Sequence, residues 1–290
     1  MKPILLKIDS STSYSCRAHT KAFLVCSYYY HPQVEIVYFE KSDGICIIGD
    51  KIHNVKQGDI FLLGKNLPHL FKNDERFANI KLQVKIFALH FLEDFWGDTF
   101  LNLIDMQEIK TVLKKARRGI QLHGKTKMKV ANYLNEMVAA KGSDRILLLI
   151  KTLNEIANSK DTTTILPIGF EPLIDELKDK RINDIYSYLI ENFYNKINIK
   201  EISKIAHLSE HSFCRYFKTK TGKTYTNFLN EIRIKHACKL LTETKFTTDQ
   251  IINQCGFVNS ANFFRHFKKL TGTTPAGFTK INSECLIKEK

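Results

Sequence analysis

The spacing of hydrophobic residues changes partway along the chain. From Lys21 to about His90 they come in short runs, AFLVCSYYY, VEIVYFE, GICIIGD, DIFLLG and IKLQVKIFALHF, broken by HPQ, KSDG, QGD and KNLPH. Runs of this length between turn residues predict strands, and short strands with frequent turns predict a sandwich or small barrel. Beyond Glu93 apolar residues recur every three or four positions in MQEIKTVLKKARRGI, KVANYLNEMVAA and DRILLLIKTLNEIAN. That is the helical period. The stretch Asn158–Pro172, NSKDTTTILPIGFEP, is polar and then marked by proline. It predicts a linker there or a few residues later.

The remainder is helical. INDIYSYLIENFYN reads as an amphipathic helix, Ile202, Ile205 and Ala206 form one face of the next, and Ser209 caps a third whose new face begins with Phe213 and Phe217. Two short helices with a tight turn make a helix-turn-helix. The arrangement returns with Ile251, Ile252 and Cys255, a turn at Gly256, Asn259 or Ser260 as cap, and Phe263 with Phe267. Gly256 suits a turn that needs positive φ, whereas the first copy has the less comfortable His207 there. FCRYFKTKTGKTYTNF (Phe213–Phe228) and FFRHFKKLTGTTPAGF (Phe263–Phe278) agree at eight positions, always 50 residues apart: Phe213/Phe263, Arg215/Arg265, Phe217/Phe267, Lys218/Lys268, Thr221/Thr271, Gly222/Gly272, Thr224/Thr274 and Phe228/Phe278. A fixed offset means two copies of one structural unit.

Helical geometry separates the two sides of each copy. At about 100° per residue Phe213 and Phe217 lie together, and His211, Arg215 and Lys218 gather on the opposite side. The second copy puts Ala261, Arg265 and Lys268 there, flanked by Asn262 and Lys269. A helix with an aromatic back and such a front suits a DNA major groove, where Arg grips guanine and Asn reads adenine. A charged face is more often merely solvated, and the repetition is what favours the groove. TYTNFLNEIRIKHACKLLTET, between the copies, predicts a helix of about 18 residues, or roughly 27 Å. Such a spacer holds two reading helices about one DNA turn, near 34 Å, apart.

Composition fits this reading. The chain's 290 residues allow two domains, and 43% hydrophobic residues suffices for a packed core in each. Net charge is +14, of which residues 181–290, with 18 Lys/Arg against nine Asp/Glu, carry nine. A basic balance points to nucleic acid or an acidic membrane surface, or to nothing beyond solubility. The absence of a signal-like start or a long apolar run leads us to expect a cytoplasmic protein with no membrane partner. The cysteines, Cys16, Cys26, Cys46, Cys214, Cys238, Cys255 and Cys285, are odd in number and form no CxxC pair, so they read as reduced packing residues.

LSEHSFCRYFKTKTGKTYTNFLNEIRIKHACKLL and CGFVNSANFFRHFKKLTGTTPAGF together resemble the DNA-binding domain of the AraC/XylS family of bacterial transcription regulators. The resemblance spans residues 181–281. It implies a sequence-specific regulator and not an enzyme, with base contacts from His211, Cys214 and Arg215 in the first unit and Ser260, Ala261, Asn262 and Arg265 in the second. The chain departs from the usual pattern at Tyr225, Asn259 and Lys280. Promoter DNA, a second copy of the chain, RNA polymerase and a small-molecule effector are the implied partners.

The segment from Tyr28 to His69 resembles the cupin-like sensor domain often found ahead of such a domain. Cupin enzymes bind a divalent metal through an H-x-H pair, a Glu four residues on and a later His; the matching positions here are Tyr29, His31, Glu35 and His69. Tyr29 replaces the first ligand. The favoured expectation is therefore the polar lining of an effector pocket, with no metal and no cofactor. His53, His90 and His123 read as ordinary surface or core residues. No serine or cysteine nucleophile motif, GxGxxG or Walker sequence is present. Apolar stripes between Gln107 and Asn158 suit a dimer interface or intramolecular packing equally.

The expected architecture is two-domain α+β: a cupin-like sensor β-barrel at 1–105, a helical dimerisation and linker region at 106–172, and an all-α domain at 173–290 with two helix-turn-helix units joined by a long helix. Two functions compete with a regulator. One is a metal-dependent cupin enzyme with a DNA-binding appendix, and the other a nonspecific basic nucleic-acid-binding protein.

Overall fold

A computed structural model describes residues 4–5, 14–19, 28–73, 84–97, 99–170 and 180–280. The chain divides into two compact units, one of Lys2–Lys51 with Val55–Asp179 and the other of Lys180–Lys290, with which Ile52–Asn54 group.

The N-terminal unit contains strands β1 (Ile4–Leu5), β2 (Tyr14–His19), β3 (Tyr29–Tyr30), β4 (Val34–Lys41), β5 (Gly44–Ile48), β6 (Lys51–Val55), β7 (Ile60–Leu63), β8 (His69–Asn73), β9 (Lys85–Phe91), β10 (Ile120–Leu122) and β11 (Thr162–Thr164). One sheet runs β1-β3-β8-β5-β6 and the other β11-β10-β7-β4-β9-β2. Three helices follow β9: α1 (Gln107–Ala116), α2 (Gly124–Ala139) and α3 (Ser143–Ala157). The second sheet is covered on both faces. Val37, Phe39, Phe61, Leu63 and Ile86 meet Cys46, Ile48 and Phe71 of the first sheet. On the other face Val34, Ile36, Ile60, Leu62, Leu89 and Phe91 pack on Val112, Leu113, Val130, Leu134, Leu149 and Leu153 of the helices. Double coverage accounts for the near-continuous apolar runs VEIVYF and IFLL, because neither face needs polar residues.

VEIVYFE and DIFLLG coincide with β4 and β7, and GICIIGD contains β5. Residues 22–27 of the expected strand AFLVCSYYY and 80–83 of IKLQVKIFALHF lie outside the described residues. β2, β6, β8, β10 and β11 carry too short or too polar a pattern to stand out. Thr162–Thr164, within the stretch expected to link domains, pairs antiparallel with β10. Leu166 then packs into the core between the sheets.

The C-terminal unit is helical: α4 (Lys180–Asn192), α5 (Ile199–Ile205), α6 (Glu210–Thr221), α7 (Tyr225–Glu243), α8 (Thr248–Gln254), α9 (Ser260–Thr271) and a further helix over 275–280. α5 and α6 form one helix-turn-helix, α8 and α9 the other, and α7 joins them. Ser209 and Asn259 cap the second helix of each pair, accepting from the backbone N–H of Ser212 and Asn262. Both turns close alike, with Leu208 N–H donating to the carbonyl of Ser203 and Phe257 N–H to that of Ile252. The turn residues His207 and Gly256 have φ of 53° and 72°, so the first unit places a side chain in the left-handed region where the second has glycine.

Six of the eight repeated positions serve this architecture. Phe213, Phe217, Phe263 and Phe267 are fully buried. Phe228 and Phe278 set their rings 5.6 and 5.8 Å from Phe217 and Phe267. The hydroxyls of Thr221 and Thr271 each donate to the carbonyl four residues earlier over 2.8 Å. Gly222 and Gly272 end their helices at φ of 68° and 77°. Thr224 and Thr274 accept from the N–H groups of Asn227 and Gly277, starting the next helix.

Candidate functional site

The two remaining repeated pairs are Arg215/Arg265 and Lys218/Lys268, and all four side chains are exposed. His211 and Cys214 lie beside Arg215 on the outer side of α6 and are exposed too. On α9 Ser260, Ala261 and Lys269 are exposed and Asn262 is half-buried. Arg265 Nη2 donates to Asn262 Oδ1 at 2.8 Å, which orients that guanidinium. Apart from Ser260, which begins α9 on the side of Phe263 and Phe267, the sequence-predicted residues thus occupy faces turned away from Phe213, Phe217, Phe263 and Phe267. Each row of side chains stands on a capped, aromatic-backed helix, so its direction is set by the core beneath it.

Beside α9 lies a cavity of about 540 Å³ whose lining includes Lys196, Arg233, Asn262, Arg265, His266 and Lys269. Burial, then the positive charges of Arg265 and Lys269, lower the pKa of His266. Asn230 Nδ2 lies 3.2 Å from His266 Nε2, an arrangement that suits a neutral ring accepting at Nε2. Four cations and no carboxylate make the lining attractive to an anion. Sequence reasoning missed Lys196, Arg233 and His266 here. The signal for Arg233 was its place between Ile232 and Ile234, both buried. Arg233 Nε donates to the carbonyl of Phe193 at 2.7 Å and Nη2 to that of Asn195 at 2.9 Å. It also lies 5.5 Å over the ring of Phe257. One side chain therefore ties the end of α4 to α7 and to the second turn.

The N-terminal unit gathers a second group of polar residues between its sheets. His31, Glu35 and His69 are buried. Tyr29 sets its ring 4.3 Å from that of His69, so the four residues named from the sequence do meet. Glu35 Oε2 lies 3.2 Å from His31 Nε2 and 2.9 Å from His69 Nε2. His90, expected to be an ordinary residue, joins them with its Nε2 3.6 Å from Glu35 Oε1 and its ring 5.1 Å from that of His31. The missed signal was strand alternation: Glu35 on β4 and His90 on β9 are directly paired and share a face. Burial alone would raise the pKa of Glu35, but the charges of His90 and His69 and the contacts of His31 and His69 hold it well below the usual carboxylate range. Donor atoms of His31, Glu35 and His69 all lie within 4.8 Å of one another, a spacing a metal ion can use. His123 stands apart, its Nε2 2.8 Å from Thr163 Oγ1.

Residues 202–281 match the helix-turn-helix domain family. The chain is similar to the HTH-type transcriptional activator RhaR of Escherichia coli O139:H28, 22% identical over 270 residues that cover 88% of this chain and 87% of that protein. A probable AraC family transcriptional regulator from Rhodopseudomonas palustris is 22% identical over 34% of this chain and 94% of its own, with a TM-score of 0.33. The DNA-binding domain of the global transcriptional factor AdpA, solved with a target DNA, is 22% identical over 34% of this chain and 88% of its own, with a TM-score of 0.32. The C-terminal unit therefore carries a helix-turn-helix domain, the DNA-binding kind of fold that the repeat predicts. Among the described residues no helix is long and apolar enough to cross a membrane.

Proposed function

We propose that the chain is a sequence-specific activator that binds promoter DNA as a homodimer in the cytoplasm and responds to a small-molecule effector. The observation that carries the DNA reading is that Arg215/Arg265 and Lys218/Lys268 are repeated and exposed, whereas the other six repeated pairs are accounted for by the fold. α6 and α9 enter successive major grooves. His211, Cys214 and Arg215 face base edges in one, and Ser260, Ala261, Asn262 and Arg265 in the other. Lys218, Lys268 and Lys269 face phosphates, and the cavity lined by Lys196 and Arg233 takes a backbone phosphate between the grooves. Activation is the mode named for the E. coli relative, and it makes RNA polymerase a further partner.

The test is competition between the chain's own promoter fragment and unrelated DNA at stated salt. Preference of about 1000-fold or more for the promoter fits specific recognition, and equal binding would sink it. Lys268→Ala should weaken all sequences alike and lower the slope of log affinity against log salt by about one unit. An unchanged slope would remove Lys268 from the phosphate set.

The division of labour follows the chain: a sensor within 1–105 closed as a cupin-like barrel, a helical region at 106–172 that dimerises, and the DNA-binding domain at 173–290. Tyr29, His31, Glu35 and His69 form the polar centre of the sensor. Dimerisation is supported by Met128 and Val138 on α2 and Ile146 and Leu147 on α3, which remain exposed although the opposite sides of both helices are packed on the sheet. The double variant Met128→Glu, Leu147→Glu should sediment as a monomer at concentrations where the wild type is a dimer. A variant that stays dimeric would place the interface elsewhere.

A further inference from the structure

The cavity beside α9 is larger than one backbone phosphate fills. A phosphate group is only a few times the size of a water molecule, which takes about 30 Å³. At about 540 Å³ the cavity has the size of a small-molecule site. Lys196 and Arg233 stand together at one end of it, because Arg233 Nη2 donates to the carbonyl of Asn195. Arg265 and Lys269 face the same space from α9. Four cations around one space repel one another, and no Asp or Glu in the lining offsets them. An anion of several charges does.

The first residue of α7 gives the lining an aromatic part. Thr224 and Thr274 cap their helices alike, and the residue that follows is Tyr225 in the first copy and Pro275 in the second. Proline is what a first helical position favours, so the fold does not call for a tyrosine there. Tyr225 is half-buried, sets its ring 5.4 Å from that of Phe213 and lines the cavity. Burial, then the neighbouring Cys214 and Glu210, push its pKa up, so the hydroxyl keeps its proton and can donate. From Tyr225 to Arg233 is eight residues of α7, or about 12 Å. A ring at one end and paired cations at the other match a nucleotide base with a polyphosphate tail.

His266 lies between these ends, where Asn230 of α7 meets its Nε2 at 3.2 Å. The positive field of Arg265 and Lys269 that helps to hold its pKa low is what a polyanion in the cavity cancels.

We propose that the cavity binds a free nucleoside triphosphate, with its base against Tyr225 and its phosphates on Lys196, Arg233 and Arg265, and that the complex excludes DNA. Exclusion follows because Asn262, Arg265 and Lys269 line the cavity and also belong to the set of α9 residues that faces DNA. The inference rests on the reading of this cavity as a phosphate seat. It is tested first without DNA, so its failure and a failure of the DNA reading are distinguishable.

Intact chain in Mg2+-free buffer at stated salt is titrated calorimetrically with ATP, GTP, tripolyphosphate and adenosine. ATP and GTP should each saturate at one per chain, because stacking on an aromatic ring tolerates either base. Tripolyphosphate should bind about fivefold or more weaker, and adenosine weaker still. Lys196→Glu should lower ATP affinity about tenfold or more, whereas Lys204→Glu, the same charge change on an exposed residue outside the lining, should leave it within about twofold. Tyr225→Pro, which copies the second unit, should bring ATP down to the affinity of tripolyphosphate. The wild type gives a reading free of variants: the ring signals of His266 should titrate at higher pH with ATP present. ATP should also displace the promoter fragment, with an inhibition constant equal to its own dissociation constant. No saturable ATP uptake, equal affinity for ATP and tripolyphosphate, or equal loss in Lys196→Glu and Lys204→Glu overturns the proposal. If ATP fails to bind while Lys196→Glu still weakens DNA binding, the proposal falls, the cavity serves the backbone alone and the DNA reading stands.

Discussion

Arg215→Ala and Arg265→Ala should each weaken binding to the promoter fragment by about 1 to 3 kcal/mol, roughly 5- to 150-fold, while leaving the fold in place. Both side chains are exposed and sit across their helices from buried aromatic pairs, so truncation opens no cavity. As surface changes they should cost no more than about 0.5 kcal/mol of stability. Measured against single-base variants of the site, each mutant should lose discrimination at a different base pair, the two about one helical turn apart. Arg265 is already held by Asn262, 2.8 Å away, before any DNA is bound. Asn262→Ala should therefore reproduce part of the Arg265→Ala loss at the same base pair. If Arg265→Ala loses discrimination and Arg215→Ala does not, only the second unit reads bases and the first holds backbone. If neither changes sequence preference in a folded protein, the paired-reading account fails.

The C-terminal unit was legible because its signals are local and doubled. Ser209, Asn259, Gly222 and Gly272 act within a few residues of where they stand, and the 50-residue repeat lets each copy check the other. The N-terminal unit was harder to read for the opposite reason. Its second sheet is buried on both faces, which removes alternation from β4 and β7, and short strands such as Ile120–Leu122 gain meaning only from partners far along the chain. His90 was missed in the same way. It sits 55 positions after Glu35, and only the pairing of β4 with β9 brings the two together. Arg233 likewise shows a charged residue between buried neighbours, but its partners, the carbonyls of Phe193 and Asn195, are backbone atoms that no residue type announces.

Gly256 tests how firmly the second unit is seated. Its φ of 72° already disfavours any side chain, and a Cβ built there would lie 2.5 Å from the carbonyl oxygen of Tyr194 and 2.8 Å from that of Phe193. Both are backbone atoms at the end of α4, and Arg233 holds that segment through Phe193 and Asn195, so it cannot retreat cheaply. Gly256→Ala should therefore add about 1 to 3 kcal/mol of overpacking to about 1 kcal/mol of left-handed strain. Gly272→Ala is the control, because it meets nothing within 4 Å and carries only the strain. His207→Gly, at the equivalent turn, should do the reverse and relieve strain. Hydrogen exchange of the intact chain reads all three: amides of α8 and α9 should lose protection in Gly256→Ala by about 1 to 3 kcal/mol more than in Gly272→Ala. DNA binding should fall with it, since α9 keeps its residues but loses its fixed direction. Equal protection in the two alanine variants would mean that the end of α4 yields, and that Arg233 does not anchor the reading helix.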